Sequence, residues 1–374
     1  MKGIFLYWKN IDANKPSGID KKVLTQVKTF NEAGLNCELH TLDFYYGLNI
    51  MQQIVCRLPY GNINPKWEYN EKFKDVDYIY FRKPICITYH TLKVLKKIRE
   101  SNPKIKIVME IPTYPYEKEL LIELKLISFY IKEIFNRKKL RYYIDRIAVF
   151  TDDKELFGVP TLRFTNGIDL SKINPVIPKE KKDDCINLCA VSSFEKWHGY
   201  ERVLKSMGEY YANNGKQNIV FHMVGDGTEM KLYKDTVERY NIQNHVIFYG
   251  RQYGQALDDI YNITDVAVDV FGMYRKNNEV SCSLKSREYL AKGLPIISGC
   301  MIDVLEDVPQ FEYFKQFPNN NTLIDINDIV DFYKKAYECG KSKEAVVKII
   351  REFAEETCGM DKGLHAVTEY LSGN

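Results

Sequence analysis

Lys285, Glu288 and Lys292 lie within "NNEVSCSLKSREYLAKGLPIISG", a stretch that reads as a helix ended by Gly293 and followed by a buried strand from Pro295. Lys285 and Glu288 are three residues apart and therefore share one helical face. An ammonium group neutralises phosphate, and a carboxylate accepts two hydrogen bonds from the hydroxyls of a ribose, so the pair suits a nucleoside diphosphate. The same spacing also fits a surface ion pair between neighbouring turns.

Two further strand-to-helix junctions sit where ligands of open parallel sheets bind. In "AVSSFEKWHGYERVL" a strand is followed by Lys196, Trp197, His198 and Gly199 and then by a helix, whose N-terminus offers free N–H groups to an anion. In "FHMVGDGTEM" Gly225 and Gly227 permit a tight turn, but Met230 stands where a third glycine would complete a dinucleotide fingerprint. "DVD" at Asp75 to Asp77 has the form of a metal-binding carboxylate pair. It precedes the strand "YIYFRK", which puts it at the N-terminal edge of a sheet, away from the ligand side.

The elements that must position these residues follow from the alternation of β-branched and aromatic runs with amphipathic stretches. In the first half the strands are "GIFLYW", "NCELHTLD", "YIYFRK", "KIKIVMEIP", "RIAVFT" and "TLRFTNGI"; in the second, "INLCAVS", "IVFHMVG", "HVIFYG", "DVAVDVF" and "LPIISG". Between the halves, "LSKINPVIPKEKKDDC" has the composition of an interdomain linker. The expected organisation is an α/β protein of two doubly wound, parallel-sheet, Rossmann-like domains, residues 1–170 and 171–355. A C-terminal helix, 356–374, is expected to return to the first. A chain of 374 residues with 45% apolar side chains has material for two cores. A net charge of +3 is too mild to imply nucleic acid. The nine cysteines are scattered, mostly in apolar runs, and show no CxxC pair, so free thiols in a reducing compartment, the cytosol, are expected. Neither a signal peptide nor a spanning helix is expected from the apolar runs.

"SLKSREYLAKGLPIIS" resembles the donor-site segment of family 4 retaining glycosyltransferases of the GT-B fold. "KWHGYERV", "VGDG", "FTNGID" and "EIPTYPYEKE" are similar to motifs of the bacterial exopolysaccharide and capsule branch. The resemblance runs in order from about Gly18 to Ser298. It implies two facing Rossmann-like domains with a cleft between them, and retaining, metal-independent transfer from a nucleotide sugar, with UDP favoured over GDP, and no cofactor. Carried over, Glu288 binds the nucleotide ribose and Lys285 faces the diphosphate. Lys196, His198 and Gly199 lie at the phosphates, Gly225 and Gly227 border the nucleotide, Arg251 passes the base, and Gly18 approaches the donor from the first domain. The family's paired glutamates are usually eight apart; here Glu279 and Glu288 differ by 288 − 279 = 9, so Glu279 either approaches the sugar from a shifted loop or has no such role. The arginine usual upstream of the phosphate lysine is absent, with Ser192 and Ser193 near its place.

"EKELLIELKLISFYIKEIFNRKKLRYY" reads as one long amphipathic helix. Its stripe Leu120, Leu124, Ile127, Ile131 and Ile134 is expected to pack inward, and Lys118, Lys125, Lys132 and Lys139 to face outward with Phe129 among them. With the basic run Arg137, Lys138, Lys139 and Arg141, that outer face suits an anionic membrane surface, although a lysine face can equally be merely solvated. The partners expected are a nucleotide-sugar donor, a glycan or lipid-diphosphate-linked acceptor and the inner face of the plasma membrane. Glu110, Tyr114, Tyr116 and Glu117 in "EIPTYPYEKE" are candidate acceptor contacts. A non-catalytic partner subunit of a glycosyltransferase, or a nucleotide-sugar epimerase, are the alternative readings.

Overall fold

The computed structural model describes residues 1–12, 17–42, 50–58, 61, 67–122, 126–178, 184–308, 310–338 and 341–373. The chain divides into two compact units, Met1–Gly167 with Met360–Asn374, and Ile168–Gly359. In the first, strands β1 (Gly3–Tyr7), β2 (Cys37–Thr41), β3 (Tyr78–Arg82), β4 (Lys106–Glu110), β5 (Arg146–Val149), β6 (Glu155–Leu156) and β7 (Val159–Arg163) form one sheet in the order β2-β1-β3-β4-β5-β7-β6. Every pair is parallel except the β6–β7 hairpin. The helices are α1 (Gly18–Glu32), α2 (Ile50–Arg57), α3 (Tyr89–Ser101), α4 (Glu117–Ile122) and α5 (Ile127–Arg137).

Both faces of this sheet are buried, which is why its strands read as unbroken apolar runs. Alternation sends Ile4, Leu6, Ile79, Phe81, Ile107 and Met109 to one core and Phe5, Tyr7, Tyr78, Tyr80 and Val108 to the other.

The second unit repeats the scheme. Strands β8 (Ile186–Ser192), β9 (Ile219–Gly225), β10 (Val246–Gly250), β11 (Val266–Val268), the short β12 (Val280–Ser281), β13 (Ile296–Ser298), the short β14 (Met301–Ile302) and β15 (Phe314–Gln316) are joined by α6 (Tyr200–Ala212), α7 (Met230–Arg239), α8 (Gln255–Ile263) and α9 (Leu284–Lys292). The main sheet is parallel throughout, in the order β10-β9-β8-β11-β13-β15, and β12 pairs with β14. Helices α10 (Ile326–Glu338) and α11 (Lys343–Thr357) complete it. The last helix, α12 (Met360–Ser372), belongs to the first unit, where Leu364, Val367 and Leu371 pack with Phe5, Val23 and Phe30. No helix among the described residues is long and apolar enough to cross a membrane.

Three sequence expectations are corrected by the structure. The Pro- and Lys-rich stretch after Leu170 is a strap of the second unit as far as it is described: Val176 N–H donates to Lys292 O at 2.9 Å, and Arg351 donates to the carbonyls of Leu170 and Ile173. Glu110 is no acceptor contact. It is fully buried, and its carboxylate takes hydrogen bonds from Lys22 Nζ, Gln26 Nε2 and Tyr80 OH, each at 2.8 Å, and from Arg82 Nη1 at 3.2 Å. Tyr116 is likewise buried, with its hydroxyl donated to Glu133, while Tyr114 packs half-buried on the core and Glu117 pairs with Arg137 at 2.6 Å.

The third correction concerns the stretch read as one long amphipathic helix: in α4 Leu120 packs into the core as expected, but in α5 the faces are exchanged. In α5 Phe129 and Lys132 are buried, whereas Ile131 and Ile134 are exposed. Lys132 turns inward because its ammonium donates to the carbonyls of Cys56 and, at 2.8 Å, Gly61, beside α2. Lys138 and Lys139 are exposed and Arg137 is half-buried. Lys125 and Leu124 lie outside the described residues, as does the side chain of Lys118.

The Glu110 cluster yields the first prediction. Burial alone would raise its pKa, but Lys22 and Arg82 outweigh burial and hold the carboxyl at about 2. A folded-state pKa below the unfolded value contributes stability that is present above about pH 4.3 and lost as pH falls towards 2. Lys22→Met, which leaves a buried carboxylate short of its cation, is expected to cost about 3 kcal/mol at pH 7 in urea unfolding. Glu110→Gln is expected to flatten the stability curve between pH 4.3 and 2; an unchanged slope there would assign the acid loss to other carboxyls.

Candidate functional site

The carboxyl ends of β8, β9 and β11 and the start of α9 gather most of the residues singled out in the second half. Asp269, one residue beyond β11, is fully buried, and its Oδ1 accepts from Ser283 Oγ at 3.2 Å. Ser283 is the N-cap of α9, and its hydroxyl also accepts from the N–H of Ser286 at 3.1 Å. The same Oδ1 lies 3.4 Å from Lys285 Nζ, which donates also to Tyr200 OH at 3.1 Å and to the Asp269 carbonyl at 3.2 Å. Burial lowers the pKa of Lys285, and Asp269 opposes that. The lysine is thus held in one place by a carboxylate, a carbonyl and a phenol, in the first turn of a helix.

Glu288 stands on the same face of α9, half-buried, with Oε1 accepting from the buried Tyr261 hydroxyl at 3.0 Å. Tyr261 is flanked by Lys292, which pairs with Asp258 at 2.6 Å in the last turn of α9. Arg287 points the other way, into a buried pair with Asp303. Gly293 ends the helix at φ +80°, where a Cβ would meet Val347. Glu279 is exposed, its carboxylate accepting from Asn319 Nδ2 at 3.1 Å, one residue before β12.

The loop before α6 is pressed against the end of β11. Gly199 has φ +63°, and a Cβ there would stand 2.6 Å from the backbone of Phe271 and Gly272; one on Gly272 would stand 2.8 Å from Lys196 O. Phe271 N–H donates to His198 O at 2.7 Å across this contact. His198 is buried and stacks on Tyr200; its Nδ1 accepts the Glu195 N–H at 2.8 Å. Burial first, then Lys285 and Lys276, push its pKa down to about 2. Burial thus disfavours the charged ring, and with Nδ1 accepting, the proton of the neutral ring sits on Nε2. Gly225 and Gly227 have a structural role of their own, because a Cβ on either would stand 1.8 Å from the carbonyl of Ser192 or Ser193.

Lys196 is exposed near this loop, and two cations that sequence reasoning passed over come to it from the 273–276 turn. Arg275 donates to Lys196 O and pairs with Glu201, and Lys276 Nζ lies 3.7 Å above the Trp197 ring. The basic dipeptide after "DVFGMY" was the available signal. Arg251 is exposed just after β10, and Gly18 opens α1 in the first unit, with open space where its Cβ would be. The "DVD" carboxylates sit at the start of β3, where Asp77 Oδ2 accepts the Lys2 N–H at 2.7 Å and the Asp77 carbonyl accepts from Lys106, far from the carboxyl ends of the strands.

Residues 174–308 match the family model for glycosyl transferases group 1, so the second unit carries a glycosyltransferase group 1 domain. No curated protein matches the chain. Among solved structures it is similar to sucrose-phosphate synthase from Thermosynechococcus elongatus, with a TM-score of 0.64, 13% identity and coverage of 100% of this chain and 98% of the other. It is similar also to Anabaena Alr3699/HepE in complex with UDP and glucose, with a TM-score of 0.59 and 12% identity over 100% of both chains. A third is the lipopolysaccharide outer core galactosyltransferase WaaB, with a TM-score of 0.59, 14% identity and coverage of 100% and 99%. At these identities the likeness is one of fold: two α/β domains with parallel sheets, as in GT-B glycosyltransferases.

The state of His198 is directly measurable. Nitrogen-15 NMR of the ring is expected to show an Nε2–H tautomer that does not titrate between pH 8 and pH 5; a midpoint near the ordinary value of about 6.5 would show a charged ring instead.

Proposed function

We propose that the protein transfers a glycosyl group from a nucleoside-diphosphate sugar, UDP in preference to GDP, to a glycan or lipid-diphosphate-linked acceptor. The observation that carries this reading is the fixed pair on α9: a carboxylate braced by Tyr261 one turn beyond an ammonium braced by Asp269 and Tyr200, inside a group 1 glycosyltransferase domain. Glu288 has one oxygen oriented by a phenol, and carboxylates accept the paired hydroxyls of a ribose well. Lys285, the α6 N-terminus and the Nε2–H of His198 supply fixed dipoles and charge to the leaving diphosphate. A cation near 4 Å from a phosphate oxygen is worth roughly 4 kcal/mol at an effective dielectric of 20, enough to govern a leaving group. The transfer proceeds with retention and with the protein's own cations in the place of a metal. It serves surface polysaccharide synthesis at the inner face of the plasma membrane.

Incubation with UDP- and GDP-sugars and a lipid-diphosphate acceptor is expected to give a glycosylated product whose anomeric configuration, read by NMR, matches the donor; an epimerised donor, or binding with neither product, would overturn the reading. Glu288→Ala is expected to weaken UDP binding by about 10- to 100-fold in calorimetry, the worth of one or two charge-assisted hydrogen bonds, with unchanged thermal unfolding. Lys285→Ala is expected to reduce turnover far more than donor affinity; near-normal turnover would remove Lys285 from the site.

A further inference from the structure

Helix α5 is inside out. Its inward side carries Lys132, Glu133 and Asn136 together with Phe129, and its outward side carries Ile131, Ile134 and Phe135, the last 71% exposed. The buried polar groups are answered one by one. Lys132 donates to the carbonyls of Cys56 and Gly61, Glu133 accepts from Ile87 N–H and Tyr116 OH and lies 3.4 Å from Lys83 Nζ, and Asn136 donates to Lys132 O. Lys132 thereby ties α5 to the carboxyl end of α2.

Helix α2 also leaves apolar side chains exposed. Ile50, Met51, Ile54 and Leu58 recur at helical spacing on its exposed side, with Ile50 and Met51 at 77% and 75% exposure. Single exposed apolar residues are ordinary, but two joined helices that both turn apolar stripes outward form a patch that marks an interaction surface.

The charges around the patch choose its partner. Within 126–143 and 50–58 the one acidic residue is the buried Glu133, whereas Arg57, Lys138, Lys139 and Arg141 are exposed. A second copy of the chain on a two-fold axis would set these cations against one another. A bilayer surface with anionic headgroups neutralises them and receives the apolar side chains at the headgroup boundary. We infer that the exposed faces of α2 and α5 insert into an anionic lipid surface. In α5 the inserting side chains are thus Ile131, Ile134 and Phe135 in place of Phe129 and Lys132, while Lys138 and Lys139 are common to this surface and the sequence reading. This deepens the proposed transfer to a lipid-linked acceptor and is tested without it.

Flotation of the full chain with phosphatidylcholine vesicles, plain or with about 30% phosphatidylglycerol, is expected to show binding to the anionic vesicles that weakens as salt is raised. Phe135→Glu, Ile54→Glu and the pair Lys138→Glu with Lys139→Glu lie on exposed positions, and each is expected to lower vesicle affinity by about tenfold or more without shifting thermal unfolding. Absent binding, or variants that bind like the parent, would overturn the inference. A concentration-dependent dimer that Phe135→Glu dissolves would overturn it too, by giving the face to a second copy. Transfer to a soluble acceptor separates the two readings: a parent chain that transfers but does not bind vesicles defeats this inference alone, and one that binds vesicles but does not transfer defeats the catalytic one.

Discussion

The buried carboxylate of Asp269 fixes the register of the second unit's site. It stands one residue past β11 and holds the N-cap hydroxyl of α9 and the ammonium of Lys285 on the same oxygen. A helix pinned at its cap has its first two turns placed to within side-chain freedom, so the position of Glu288 follows from that of Ser283. Tyr261 then removes the remaining freedom of the Glu288 carboxylate. The anchor also opposes the downward push that burial gives the Lys285 pKa.

Backbone proximity is the second constraint, and glycine is its means. The α6 loop reaches the end of β11 only because Gly199 and Gly272 let two backbones approach without a Cβ between them, and the β8 and β9 loops meet in the same way at Gly225 and Gly227. One consequence is that the N–H groups at the start of α6 come to the same edge of the sheet as Lys285. Another is that "VGDG", weak as a nucleotide fingerprint, is explained by packing without any appeal to a ligand.

The strands were legible because a parallel sheet covered on both faces demands continuous apolar runs, and few other structures do. Gly293 and Pro295 punctuated α9 for an equally local reason, the left-handed turn that closes a helix. Asp269, Tyr200 and Tyr261 were not legible. An aspartate inside "DVAVDVF" and tyrosines inside amphipathic stretches look like edge and core residues until non-local packing brings them to α9. The burial of His198 against Tyr200, which disfavours a charged ring, is a property of the fold and not of the motif. The Pro- and Lys-rich strap was misread because composition marks irregular backbone and says nothing of what that backbone bonds to.

Helix α5 shows where amphipathic reading fails. The periodicity was real, but the rule that turns the apolar stripe inward assumes that water is the medium outside and that polar groups have no better partner within. Here Lys132 caps the carbonyls at the end of α2, and Glu133 collects Ile87 N–H and Tyr116 OH, so the polar stripe has specific partners in the interior. Each of those bonds offsets desolvation that a misplaced polar side chain would leave uncompensated. The apolar stripe is then left outside, at a cost of roughly 25 cal/mol for each Å² kept in water. An arrangement that leaves this cost standing is favoured where the outer medium is not water, which is the physical content of assigning this face to a lipid surface.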